Sequence, residues 1–221
     1  ADELESWLLE LGRFDAYVGE TGSMLYVEMT CDTENEEVKQ AYLDFVEQVQ
    51  PELAKMGDLL NRKLAESPHA EALDSVEYNV LLRDTRMGIA LFREENIPLG
   101  TELTKLGQRY NEICGAMTVE FDGEERTMQQ MGKYLQVNDR EVRESAYRTV
   151  GERRFQDAEE IDDIFDQMIA LRHQVAQNAG YENFRDYTFD SKRRFDYTPE
   201  DCEAFQTAIE KICVPLMREI D

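Results

Sequence analysis

The run from Leu171 to Leu216, LRHQVAQNAGYENFRDYTFDSKRRFDYTPEDCEAFQTAIEKICVPL, strings together a helix, a stop, a short helix, a basic turn, a cap and another helix. Val175 and Ala176 close an apolar face, and Gly180 supplies the left-handed conformation that ends many helices. Between Tyr181 and Phe189 aromatics alternate with polar residues at about one helical turn. Lys192-Arg193-Arg194 is an island of positive charge. Thr198-Pro199-Glu200-Asp201 is an N-terminus signal: a hydroxyl cap, proline in the first turn, and acids beside the positive end of the dipole.

The same helical grammar extends in both directions. Leu4, Leu8, Leu11, Phe14 and Val18 recur at steps of three and four, and Leu25, Tyr26 and Met29 keep the period toward a helix end near Cys31. Asp32, Thr33 and Asn35 offer caps for a second helix bearing Val38, Tyr42, Phe45 and Val49. Pro51 demands a break or kink there, and Leu53, Met56, Leu60 and Leu64 resume the pattern up to a Ser67-Pro68-His69 loop. Further helices are expected over 75–93 and 101–114, separated by Asn96-Ile97-Pro98-Leu99-Gly100. Thr118 to Phe121 and Glu124 to Thr127 instead alternate about Asp122-Gly123, a two-residue hairpin signal. Thr127 with Gln130 and Asn138 with Glu141 read as capping boxes. Val142, Ala146 and Val150 line the helix after the second box, and Ile161, Phe165, Met168 and Val175 line the next. The last helix carries Cys202, Phe205, Ile209, Ile212 and Leu216 on one side, and Pro215 kinks it or marks its final turn. The expected fold is mostly α, an antiparallel helical bundle or array with one small β-hairpin near residues 117–127. Residues 1–115 read as an N-terminal helical region and 116–221 as the hairpin plus helices.

Composition narrows function. Forty-eight acids against 24 bases give a formal charge of −24, which opposes binding to nucleic acid or to an anionic membrane, because phosphate neutralisation needs clustered Lys and Arg. A solvated surface accounts for such acidity, as does a salty cytoplasm that screens self-repulsion. No apolar run approaches the ~20 residues of a membrane span, and no basic-then-apolar leader marks secretion. The chain opens on Ala1 and stops at Asp221, one residue after Ile220 of a helical pattern; both ends read as cuts in a longer polypeptide. The four cysteines form no CxxC pair. Cys202 and Cys213 lie about 16 Å apart along one helix, beyond disulfide reach, so reduced buried thiols and a cytoplasmic location are expected.

Chemistry is sparse. Of two histidines, His69 sits in a loop and His173 on a helix flank, and a zinc site wants three or four ligands. There is no HExxH, phosphate loop or nucleophile elbow, and the many paired carboxylates read as solvated helix faces. The aromatics from Tyr181 to Tyr197 read as packing between helices. Within that turn Arg193, Arg194 and Tyr197 remain candidates to face a cleft and meet a peptide carboxylate.

Five segments carry a resemblance: ALFREENIPL (Ala90–Leu99), MTVEFDGEERT (Met117–Thr127), NDREVRESAYR (Asn138–Arg148), LRHQVAQNAGYENFRDY (Leu171–Tyr187) and RFDYTPEDCEAF (Arg194–Phe205). In this order they resemble the N-terminal half of the oligoendopeptidase F branch of the thimet-oligopeptidase-like zinc metallopeptidases. The resemblance spans nearly the whole chain and is weakest before Gln40. It implies a helical enzyme of two lobes around a deep cleft that admits short, unstructured peptides. In such an enzyme zinc is held by an HExxH helix and a further Glu, with the motif Glu as general base. None of those positions occurs here, so no catalytic or metal residue carries over. The expectation is therefore a cleft-walling piece with no zinc and no activity of its own, leading toward a catalytic lobe of the same polypeptide. The competing reading is a stand-alone acidic helical binding or scaffold module without catalysis. A large exposed apolar patch separates the two, because it marks a missing lobe.

Overall fold

A computed structural model of the chain describes residues 2–33 and 35–220. Helix α1 spans Asp2–Cys31, α2 Glu36–Asp44, α3 Gln50–Ala65, α4 Ser75–Leu91 and α5 Asn96–Gly115. Strands β1 (Thr118–Phe121) and β2 (Glu124–Thr127) follow, then α6 (Met128–Met131), α7 (Arg140–Gln156), α8 (Ala158–Asn178), α9 (Phe184–Ser191), α10 (Pro199–Ala208) and α11 (Val214–Ile220). Among the described residues the fold is mostly helical with one two-stranded antiparallel hairpin, as the periodicity predicts. Among the described residues no helix is long and apolar enough to cross a membrane.

The local signals act as the chemistry requires. Asn35 caps α2, accepting from the Glu37 amide at 3.1 Å. Thr127 and Gln130 form the expected capping box of α6, and Thr198 and Asp201 form one at α10 with Pro199 in the first turn. Asp122 and Gly123 both adopt positive φ, 57° and 76°, the requirement of a type I′ turn. Thr118 then faces Thr127 and Phe121 faces Glu124.

Several expectations are corrected or narrowed. The cap of α7 is Asp139, not Asn138, because the Asp139 carboxylate reaches the Glu141 and Val142 amides at 2.9 and 3.3 Å. Residues 96–100 do not separate two helices; they are the first turn of α5. Pro98 is tolerated there because amides of a first turn have no intrahelical acceptor to lose. Nor does Pro51 break the helix. A π turn at Phe45–Val49 links α2 to α3, and the Gln50 amide donates five residues back to the Phe45 carbonyl. Pro215 is met in the same way by a π turn at Ile209–Cys213, closed by Val214 onto Ile209. In both places the widened turn ends two residues before the proline, whose ring crowds the carbonyl four residues back and whose nitrogen cannot donate.

The chain divides into two compact units, residues 1–12, 52–97 and 173–221, and residues 13–51 and 98–172. In the second unit Met29, Tyr42 and Val46 form one buried cluster with Leu25 against it. Gly22 leaves the space that the Phe45 ring takes, since a Cβ there would lie 2.7 Å from the ring. Ile113, Met117 and Ile164 form another cluster, and Val119, Met131 and Ala146 a third that seats the hairpin on α6 and α7. Phe165, expected on the inner line of α8, is exposed, and Ile164 takes the core position. In the first unit the Tyr78 hydroxyl donates to Glu5 at 2.7 Å, and Lys63 lies 5.4 Å from the Trp7 ring centroid. Cys31 and Cys213 are exposed rather than buried, and all four thiols are free.

Gly107, inside α5, has open space where a Cβ would stand. Gly107→Ala should therefore raise stability by about 0.5–1 kcal/mol, mainly by lowering the entropy of the unfolded chain. Denaturant melts of the two proteins check this as a shift of midpoint at unchanged slope.

Candidate functional site

The basic turn after α9 is where cations and aromatics gather in the first unit. Two helices lead into it, and both end by the same closure. At the end of α8 the Tyr181 amide reaches the Ala176 carbonyl at 2.9 Å and the Gly180 amide reaches Gln177 at 2.9 Å, with Gly180 at φ +88°. At the end of α9 the Arg194 amide reaches Phe189 at 3.4 Å and the Arg193 amide reaches Asp190 at 3.0 Å, with Arg193 at φ +57°. This is the Schellman pattern twice, once with the glycine that suits it and once with an arginine that does not. A left-handed non-glycine residue costs roughly 1–2 kcal/mol, so side-chain interactions must hold Arg193 in place.

They do. The Arg193 Nε donates to the Asp84 carboxylate of α4, and its Nη1 donates to the carbonyls of Asp190 at 3.4 Å and Ser191 at 3.2 Å. Burial lowers the Arg193 pKa, yet a guanidinium stays charged at any physiological pH. The neighbouring Arg83 lies 4.2 Å from the Phe195 ring centroid and pairs with Asp196 at 3.5 Å. Arg194 stands 5.2 Å from the Phe189 ring centroid, and Tyr197 packs on that buried ring edge-on at 5.5 Å. The three candidate residues thus share one turn, but their surroundings differ. The Arg193 head is committed to Asp84 and two carbonyls, Arg194 lies over an aromatic face, and Tyr197 is exposed.

Beneath the turn, Tyr181 donates to Asp190 Oδ2 at 2.5 Å and sets its ring edge-on to Tyr187 at 5.7 Å. At the α8 end Asn96 donates to the Val175 carbonyl at 3.0 Å and Arg93 to Ala179 at 3.4 Å, a cation at the negative end of the helix. Burial and the Asp190 bond push the Tyr181 hydroxyl up to about 12 from its ordinary 10.0. The folded state therefore favours the neutral phenol, and that stabilisation is full below pH 10 and is lost as pH rises toward 12. A phenolate absorbance titration should show a late component that Tyr181→Phe removes, beside another from Tyr78, which Glu5 also holds up to about 12.

His69 and His173 are both exposed, and among the described residues no group of three or more His, Cys, Asp or Glu side chains could hold a metal ion. The described residues thus do not fit a zinc. Sequence reading missed Asp84, which lies 109 positions from Arg193 and carries no local signature. It also missed Asp190, although its spacing from Tyr181 spans only the short α9.

Comparison with known proteins finds relatives of the fold. The model of the peptidase M3 N-terminal domain matches residues 1–92, and that of peptidase family M3 matches residues 133–220. Among solved structures, PZ peptidase A with an inhibitor superimposes with a TM-score of 0.91 at 25% identity, over 97% of this chain and 38% of its own. A Bacillus anthracis chain described as an oligoendopeptidase F superimposes at 0.85 and 24% identity, over 91% of this chain and 37% of its own. A further chain described as an oligoendopeptidase F shares the fold at 0.84 and 22% identity. No curated protein matched. The chain thus spans a little over a third of the length of these solved relatives. With both family models aligned in order along it, this chain belongs to peptidase family M3.

Proposed function

We propose that this chain is the N-terminal, cleft-walling part of a cytoplasmic zinc metallo-oligopeptidase of the oligoendopeptidase F type that hydrolyses short, unstructured peptides. In this reading residues 1–115 form an N-terminal helical region, and 116–221 form the hairpin plus helices that lead toward a catalytic lobe of the same polypeptide. That lobe supplies the HExxH and the zinc, and the chain alone is inactive. Arg194 and Tyr197, on the turn that Arg193 ties to Asp84, face the peptide. Nucleic acid and membranes are not partners, in keeping with the −24 charge.

The observation that carries the reading is the apolar side of the last helical run. Phe205, Ile212 and Ile220 are 67, 69 and 72% exposed, and Leu216 and Met217 are exposed with them. Soluble proteins rarely leave such a contiguous stripe in water unless something docks on it. A stand-alone scaffold would have no reason to keep it, so the stripe favours a lobe that covers it. Reading the coding sequence past the Asp221 codon tests this, together with metal analysis of the full-length product. An HExxH downstream and one zinc per chain are expected; a stop codon there, or a metal-free full-length protein, would overturn the proposal.

A further inference from the structure

Helix α7 carries a second feature, in the other unit, that the peptidase reading does not use. Tyr147, Gly151 and Phe155 follow one another at four-residue steps, so they share one face of the helix. The two aromatics are 72 and 80% exposed. Between them Gly151 leaves a notch, and across it Gly132 leaves another, for a Cβ at either glycine would meet nothing within 4 Å. Met131 and Leu135 wall the far side, and the groove so formed encloses about 510 Å³. A glycine in the middle of a helix costs about 0.5–1 kcal/mol relative to alanine. Gly151 has negative φ and no crowded neighbour, so neither backbone geometry nor packing accounts for it. An open groove does.

The charge at the rim indicates the occupant. Acids outnumber bases two to one in this chain, yet the groove is lined by Arg148 and Arg154 against one acid, Glu152. Arg148 pairs with Glu144 at 2.9 Å at an exposed site, where such a pair is weak and readily exchanged, and Arg154 has no ion pair among the described residues. We infer that this groove binds a linear peptide segment in which a bulky apolar side chain adjoins a carboxylate. The apolar side chain enters the glycine notch between Tyr147 and Phe155, and the carboxylate meets Arg154, with Arg148 released from Glu144 as its second donor. The claim concerns binding and does not rest on cleavage by the parent protein.

The test uses the full-length protein and a fluorescein-labelled acetyl-Gly-Phe-Glu-Gly amide, with its Gln and Ala counterparts, read by anisotropy. Wild type should bind the Phe-Glu peptide at least tenfold more tightly than the Phe-Gln or Ala-Glu peptide, and the preference should shrink as salt rises. Gly151→Leu, which fills the notch, and Arg154→Glu should each weaken binding at least tenfold, whereas Gly151→Ala should weaken it less. Circular dichroism confirms that each variant folds. Equal binding of all three peptides, or binding unmoved by Gly151→Leu and Arg154→Glu, overturns the proposal. So does oxidative footprinting that finds Tyr147 and Phe155 covered in the peptide-free protein, which would assign the groove to another lobe or a second copy. Cleavage of a reporter peptide measured in parallel keeps the two claims apart, because lost binding with intact cleavage removes only this one.

Discussion

Gly123→Val should lower the stability of the hairpin-bearing unit by about 2 kcal/mol, the cost of forcing a β-branched residue into a left-handed conformation. Residues 122 and 123 both have positive φ, and valine at 123 can meet that only with strain or by opening the turn. Opening is also costly, because β1 delivers Val119 to the buried cluster with Met131 and Ala146. For a chain of this length ~2 kcal/mol corresponds to a melting shift of about 4–8 °C. Gly123→Asn is the control: asparagine visits the left-handed region readily, so it should lose much less. Calorimetry of the three proteins decides the matter, and a valine variant that melts with wild type would show the turn to be of another type.

Replacing Arg193 should order a second series. Arg193→Ala removes the Asp84 pair and both carbonyl contacts but keeps a Cβ at φ +57°. Arg193→Gly removes the same contacts and relieves the backbone, which is worth about 1 kcal/mol. Glycine should therefore be less damaging than alanine, with alanine costing ~2 kcal/mol in all, since the pair is partly solvated and its Coulomb share is modest. Arg193→Lys should resemble alanine more than wild type, because an ammonium cannot fork between a carboxylate and two carbonyls. Asp84→Asn should cost less than Arg193→Ala, for it spares the carbonyl bonds. If glycine proved worse than alanine in urea melts, the left-handed closure of α9 would not be where the strain lies.

What the sequence revealed, and what it withheld, follows from range. Thr198 with Asp201, Thr127 with Gln130, and Asp122-Gly123 act within three or four residues, so composition and spacing disclose them. Asn138 misled because an equally good cap, Asp139, stands beside it. Pro51 and Pro215 each left two outcomes open, a stop and a kink: a proline announces a lost hydrogen bond, and a π turn upstream absorbs the loss without ending the helix. The candidate turn was visible as a run of cations and aromatics. Its organisation was not, since Asp84 comes from another helix and only folding sets it against Arg193. Likewise, the spacing of Phe205, Ile209, Ile212 and Leu216 discloses an apolar side but cannot say that the rest of this chain leaves that side uncovered. That last fact weighs most in the functional reading.

The most direct measurement is cleavage of a short quenched-fluorescent peptide by the full-length polypeptide, before and after chelation and again after zinc is restored, with this 221-residue chain alone in parallel. The account predicts cleavage by the full-length protein that chelation abolishes and zinc restores, none by the chain alone, and none of a folded protein. Metal-dependent cleavage by the 221-residue chain itself, or no peptide cleavage by the zinc-loaded full-length protein, would contradict it.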